Sequence, residues 1–357
     1  MSKEIIQEYK QFTTRKRLFI WVCIFLLLLF VVLGLLIGAS SISLNNIIHI
    51  FTGNSEDINR QIILNIRLPR VLSAVLAGTA LSVSGTVMQS ILRNPLGSPF
   101  TLGISNAAAF GAAFAVIILG AGSTQSNVND AVLINNPYLI TISAFFWSLV
   151  STVIILLMAR FKDASPETMI LTGIILGSLF IAGTTGLEYF AEDVELSTIV
   201  FWTFGDLGRA SWREFYILLA IVIPSLFYFM SNRWNIRSLN TGDETANSLG
   251  VNVEKTRIKV MLVASLTTAV AVSFFGIIAF VGLVVPHLVR KMIGSDERFL
   301  IPATALFGGV FLLASDLLAR SIIAPMVLPV GILTSFIGAP LFIFLLFKGK
   351  GKGIWLR

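Results

Sequence analysis

VMLVASLTTAVAVSFFGIIAFVGLVVPHLV, residues Val260 to Val289, runs for thirty positions without an acidic residue, a lysine or an arginine. As one helix it would be about 45 Å long at 1.5 Å per residue. That is too long for one upright crossing of a hydrocarbon core of about 30 Å and short for two. Both ends are basic, Arg257 and Lys259 before the run, Arg290 and Lys291 after it. Lys and Arg collect on the cytoplasmic side of membrane proteins, so both ends belong on the same side. A hairpin that breaks near Ser273 to Gly276 meets this demand, and spans so short survive only where protein surrounds them.

The composition around this run agrees. The chain is 55% hydrophobic and 13% charged, with a mean hydropathy of +0.87, against about 25% charged residues in a soluble domain. This predicts an all-α polytopic membrane protein. The net charge of +7 is no nucleic-acid signal, because the basic residues are scattered between apolar runs. Cys23 stands alone, which excludes an internal disulfide and argues against a cysteine metal site. Leu18–Ile37 follows Arg15-Lys16-Arg17 and is too long for a signal sequence, so it reads as an uncleaved first helix.

With the hairpin counted as two, ten candidate spans emerge: Leu18–Ile37, Val71–Leu92, Phe100–Gly120, Tyr138–Ala159, Thr168–Leu187, Phe215–Met230, Val260–Phe275, Ile277–Val289, Leu300–Leu318 and Leu328–Phe347. An even number places both termini in the cytoplasm. Twenty Lys and Arg then fall inside, and six, Arg60, Arg67, Arg70, Arg209, Arg213 and Arg320, fall outside. So strong a bias supports the parity. Five spans per half enter the membrane in opposite senses, the arithmetic of two inverted five-helix halves. The expected organisation is one transmembrane domain over residues 1–357. It comprises a cytoplasmic segment 1–17, a ten-helix bundle 18–347 and a cytoplasmic tail 348–357. Small residues recur four apart at Ala74, Gly78, Ser82 and Thr86, at Gly103, Ala107 and Gly111, and at Gly173 and Gly177, which marks helices that pack closely inside the bundle.

One long polar stretch with clustered positive charge interrupts the apolar pattern, residues 232–259. Its centre, Asn240 to Gly250, reads as a short helix. Asn240 or Thr241 caps it, Asp243 and Glu244 sit in the first turn, and Gly250 supplies a left-handed stop. Val251-Asn252 then restarts a helix. A helix pair held at the cytoplasmic surface is a docking element for a soluble partner, although an ordinary connecting loop fits the local sequence as well. His287 is read as structural, ending the eighth helix with Pro286 at the cytoplasmic face, and His49 carries no signal. Almost no ionisable residue lies mid-span; Asp316 and Glu214 sit near outer ends. A proton-coupled carrier keeps such a group in its path. No phosphate-cradling glycine loop exists either. Any uphill transport therefore draws its energy from a partner, and residues 232–259 are its largest handle.

Several motifs carry a resemblance. Arg67-Leu-Pro-Arg70, Gly85-Thr-Val-Met-Gln89, Asn94-Pro-Leu96 and Gly103-Ile-Ser-Asn-Ala107 lie in the first half. Gly242-Asp-Glu with Ser248-Leu-Gly250, Phe280-Val-Gly-Leu-Val-Val-Pro-His287, Asp316-Leu-Leu-Ala-Arg320, Leu328-Pro-Val-Gly331 and Gly338-Ala-Pro340 lie in the second. In this order and spacing the chain resembles the FecCD-type permeases, which import ferric siderophores, haem and cobalamin with ATP as the energy source. The resemblance implies a type II importer permease that is not itself an enzyme and sits in the cell membrane. It pairs with a second copy or a paralogue. Two cytoplasmic ATPases carry ATP and magnesium, an extracytoplasmic binding protein delivers the ligand, and this chain binds no cofactor or metal. It further implies an ATPase-coupling surface at Gly242, Asp243, Glu244, Leu249 and Gly250, and binding-protein docking at Arg67, Arg70 and Arg320. A cytoplasmic gate would lie at Ser165, Pro166 and Glu167, and an outer gate along Ser197 to Trp202. A bulky chelate, foremost a ferric siderophore, suits a wide and weakly charged path, since a bare cation needs rings of carboxylates or carbonyls. An ion-coupled secondary carrier is the rival from another class.

Overall fold

In the computed structural model the apolar run breaks at Gly276, whose φ of +75° ends the helix before it. The structure describes residues 2–38, 57–121, 137–161 and 165–348. Among these there are helices and no strand. His49, Lys162 and the tail beyond residue 348 lie outside the described residues.

In chain order the helices are α1 (Ser2–Leu36), α2 (Asp57–Gln61) with a π-helical turn Ile62–Arg67, α3 (Leu68–Ile91), α4 (Ile104–Ile117), α5 (Pro137–Arg160), α6 (Pro166–Tyr189) and α7 (Asp193–Thr203). There follow a 3-10 turn Leu207–Arg209, α8 (Trp212–Ser231), α9 (Arg233–Thr241), α10 (Asp243–Ser248), α11 (Val253–Phe275), α12 (Val281–Ile293), α13 (Glu297–Ser321) and α14 (Val330–Lys348). Among the described residues, seven are long and apolar enough to cross a membrane: those of α1, α2–α3 taken together, α5, α6, α8, α11 and α13. Two of the other three candidate spans correspond to the shorter apolar helices α4 and α14, and the third overlaps α12, which carries Arg290 and Lys291 in its last turn.

α3 is the hub. Its residues are almost wholly buried, and it packs on α13, α11, α12 and α8. The small-residue stripes explain how. A Cβ at Gly78 would collide with the Gly308 carbonyl of α13, one at Gly103 would strike Gly173 and Gly177 of α6, and one at Gly111 would strike Ser143 of α5. The Ser82 hydroxyl donates to the Thr304 carbonyl at 2.8 Å. At the periphery, α1, α6 and α8 keep broad apolar faces uncovered.

The break at residues 276–280 is irregular backbone deep inside the bundle, a place where unsatisfied amides are costly. Backbone partners serve it and its flanks: the Gly276 N–H donates to the Val272 carbonyl at 2.8 Å and the Val281 N–H to Ala279 at 2.9 Å. Beside the break, the Asp206 N–H donates to the Phe275 carbonyl at 2.8 Å and the Gly331 N–H to Gly205 at 3.3 Å. Added Cβ atoms at Gly205, Gly276 or Gly331 would run into carbonyls of Ile277, Trp202 or Phe204.

Two sequence expectations change here. The first helix does not start near Leu18; α1 runs through the basic segment from Ser2. Nor do Pro286 and His287 end the eighth helix, since α12 continues to Ile293. Pro286 has no N–H to give the Gly282 carbonyl, and that carbonyl faces the Gly85 backbone of α3 instead. The crossing helix thus lies against the acceptor that proline leaves free, and α12 passes the proline intact.

Candidate functional site at the two ends of the bundle

Charged groups gather at opposite ends. One end holds the elbow formed by α9, α10 and the start of α11. Ile236, Leu239 and Ala246 are fully buried and anchor it to the bundle core. Gly242, at φ +123°, is the joint between α9 and α10. It corrects the expected cap: neither Asn240 nor Thr241 starts α10, and both belong to the last turn of α9. Gly250 ends the piece at φ +80°, the left-handed stop read from the sequence, with the Val251 N–H returning to the Ala246 carbonyl at 3.0 Å. The Asn252 side chain then caps α11 by accepting from the Lys255 N–H at 2.9 Å.

The five elbow residues singled out above divide by direction. Glu244 and Leu249 face outward, Leu249 with 66% of its surface exposed, alongside Thr245, Asn247 and Ser248. Asp243 turns inward. It pairs with the fully buried Arg257 at 2.6 Å and with Arg93 at 3.5 Å. The Arg257 Nε donates to the Ile91 carbonyl, the last of α3, at 3.1 Å. No periodicity reveals that contact, because Arg257 sits near the start of α11 among residues that read as a solvated basic cluster.

A second carboxylate at this end, Asp296, is the N-cap of α13 and faces Arg298 at 2.7 Å, Arg237 at 3.3 Å and Lys16 at 3.6 Å. Hydrogen bonds from Arg298 hold its pKa at about 2, aided by Lys16 and outweighing burial. The folded state therefore favours the ionised form, so this contribution is present above about pH 4 and is lost as pH falls through about 2. Asp296→Asn keeps a good N-cap and removes the charge. We expect a loss of roughly 2 kcal/mol, constant from neutral pH down to about pH 5 and shrinking below pH 4, read as thermal shifts of the detergent-solubilised protein.

At the far end the three arginines converge. Arg70 holds Asp316 at 2.8 Å and Arg320 reaches the same carboxylate at 3.0 Å. Arg67 donates to the carbonyls of Leu35 and Leu36 at 2.6 and 2.8 Å, and Arg320 to Ile37 at 3.0 Å, closing the end of α1. Arg67 is only 5% exposed. The fully buried Asp316 requires counter-charge, and the sequence signal was the Asp316–Arg320 spacing of four on one helix face. The guanidiniums thus lie across the end of the bundle, inward of where docking residues were expected. Nearby, Arg209 of the 3-10 turn is half-buried, and this partial desolvation lowers its pKa despite the raising influence of Asp206.

The candidate gate positions lie on helix starts and faces. Ser165 caps α6 by accepting from the Thr168 N–H at 3.2 Å, with Pro166 and the exposed Glu167 in its first turn. On α7, Ser197 is exposed and Trp202 is buried in the core. Both line a cavity of about 570 Å³ with Phe201, Tyr138, Arg209 and Phe274. Among the described residues, no group of three or more His, Cys, Asp or Glu side chains is placed to hold a metal.

An apolar helical bundle with glycine-packed crossings and an exposed polar elbow at one end is the build of a multi-pass membrane protein. The chain belongs to the FecCD transport family, whose family model matches residues 26–348. It is 53% identical over 345 residues to a protein of Methanocaldococcus jannaschii assigned as an ABC transporter permease, covering 97% of this chain and 98% of that one. It is 36% identical to the hemin transport system permease protein of Yersinia pestis, covering 91% of this chain and 95% of the relative. Its fold matches a solved inward-facing transporter, assigned as metal-chelate type, at a TM-score of 0.80 and 30% identity, covering 92% and 98% of the two chains.

Proposed function

We propose that this chain is the membrane subunit of an ATP-driven importer of metal chelates, with ferric siderophores as the preferred class. The elbow carries the reading: an outward face of Glu244, Asn247, Ser248 and Leu249 on a helix whose inward carboxylate is wired to α3. Such a surface suits a cleft on a cytoplasmic ATPase, two of which would serve two permease copies or a pair of paralogues. The termini lie in the cytoplasm in this scheme, as the basic residues at the elbow end favour. At the far end, Arg67, Arg70 and Arg320 stand against two carboxylates, Asp316 and, at 3.8 Å from Arg70, Asp206, which leaves net positive charge that would steer an acidic docking surface on an extracytoplasmic binding protein. The ligand would pass between the two permeases, past Ser197–Trp202 on the outer side and Ser165–Glu167 on the inner side. No chemistry is performed on it.

Reconstitution with its cognate ATPase and binding protein in liposomes tests this, using a ferric hydroxamate, hemin and cobalamin as separate probes. Relatives named for hemin and for vitamin B12, each at 36% identity, make the last two real competitors for the cargo. ATP-dependent uptake of the ferric hydroxamate alone supports the reading, and uptake of either other probe reassigns the cargo. Uptake that persists without ATP would point to an ion-coupled carrier instead. Leu249→Asp places a charge in the exposed apolar contact, and we expect at least a tenfold loss of ATP-driven uptake, about 1.4 kcal/mol of coupling. Its thermal stability should match that of the unaltered chain.

A further inference from the structure

Two carboxylates fasten the elbow, each to one member of a single pair of helices. Asp243 reaches α3 through Arg257, whose Nε donates to the Ile91 carbonyl at 3.1 Å. Asp296, the N-cap of α13, holds Arg237 of α9 at 3.3 Å. α3 and α13 are antiparallel and joined at three heights. At the elbow end the Ser90 hydroxyl donates to the Glu297 carboxylate at 2.6 Å. In the middle the hydroxyls of Thr79 and Ser82 donate to the carbonyls of Ala305 and Thr304 at 2.9 and 2.8 Å. At the far end Arg70 holds Asp316 at 2.8 Å.

A pair joined in this way cannot slide or splay without breaking buried polar contacts, so it moves as one body. We infer that Asp243 and Asp296 are positioning residues that clamp the elbow to the α3–α13 pair, so that elbow displacement reaches the Arg70–Asp316–Arg320 cluster as rigid-body motion. The use of this lever for import rests on the function proposed above; the clamp itself does not. Neither residue acts through one contact alone. Arg93 also faces Asp243, and Arg298 and Lys16 also face Asp296.

The test uses the full chain in lipid nanodiscs with Cys23→Ala and spin labels at Ser248→Cys on the elbow and Leu318→Cys at the far end of α13. The otherwise unaltered chain should give one narrow distance. Asp243→Asn with Asp296→Asn should add a second population displaced by about one helical turn, ~5 Å. Asp243→Glu with Asp296→Glu, which keeps both carboxylates, should restore the single distance; plain packing damage would not be rescued in this way. If the double variant cannot be purified, Asp243→Asn alone leaves the α13 cap intact and should show a smaller second population. A broad distance in the unaltered chain, or an unchanged distance in the Asn variants, overturns the clamp. With the ATPase bound and trapped by ATP and vanadate, the Ser248–Leu318 distance should hold while both labels move relative to Leu179→Cys on α6. A change in the Ser248–Leu318 distance on trapping overturns the rigid lever. Failure of the ATPase to bind the unaltered chain defeats the importer reading, and the nanodisc comparison still decides the clamp.

Discussion

Asp316→Ala should cost about 3–5 kcal/mol and leave little folded protein in mild detergent. The carboxylate is fully buried and serves Arg70 at 2.8 Å and Arg320 at 3.0 Å. Without it, two guanidiniums stand close together with their main counter-charge gone. Both side chains are largely buried, Arg320 at 7% and Arg70 at 14% exposed, and rearrangement would open the junction with α1 that Arg67 and Arg320 close. Asp316→Asn keeps two acceptor lone pairs and should cost less. Adding Arg320→Met to Asp316→Ala should recover part of the loss, because a buried charge costs most when its partner alone is removed. Size-exclusion recovery and thermal unfolding of the four proteins would decide. Equal stability for Asp316→Ala and the unaltered chain would mean that the arginines hold the far end without it.

Gly85→Leu should be as damaging for a different reason. A single Cβ at Gly85 already collides with the Gly282 carbonyl of α12, and that contact is backbone, so no rotamer relieves it. Gly85→Ala should therefore cost about 1–3 kcal/mol, and Gly85→Leu should prevent assembly of α3 with α12. Gly186 in α6 is the control, with open space where its Cβ would stand. Gly186→Ala should be neutral or stabilising by about 0.5–1 kcal/mol, since it removes a helix glycine. A folded Gly85→Leu protein would show that the two helices can separate without loss.

Much of this architecture is legible from residue types alone. The conflict between the length of Val260–Val289 and the charges at its ends placed the break near Ser273 to Gly276, and the four-residue spacing of Gly78, Ser82 and their neighbours marked α3 as a closely packed interior helix. Both are short-range signals with one physical outcome each. What stayed hidden depends on long-range partners. Asp243 reads like any acidic residue in a first turn until Arg257 is found beneath it, fourteen positions on. Arg67 reads as an outward cation until the ends of α1 and α3 meet and its donors find carbonyls. Pro286 reads as a helix stop because the sequence does not show that its orphan acceptor faces Gly85. The joint at Gly242 was missed because Asn240 and Thr241 are good caps, and the core contacts of Ile236 and Leu239 carried α9 past them.

The seam around Gly276 has a consequence for isotope exchange. The amides of Asp206 and Gly331 belong to no helix ladder: Asp206 lies in irregular chain, and Gly331 sits in the opening turn of α14, where a helix leaves its N–H groups unclaimed. In solvent deuterium such protons ordinarily trade within moments. Here they point at Phe275 and Gly205 carbonyls inside the protein, so they should retain hydrogen about as long as mid-helix positions of α11 do. Rapid labelling at both would mean that the seam between the end of α11, the 205–206 segment and the start of α14 parts routinely.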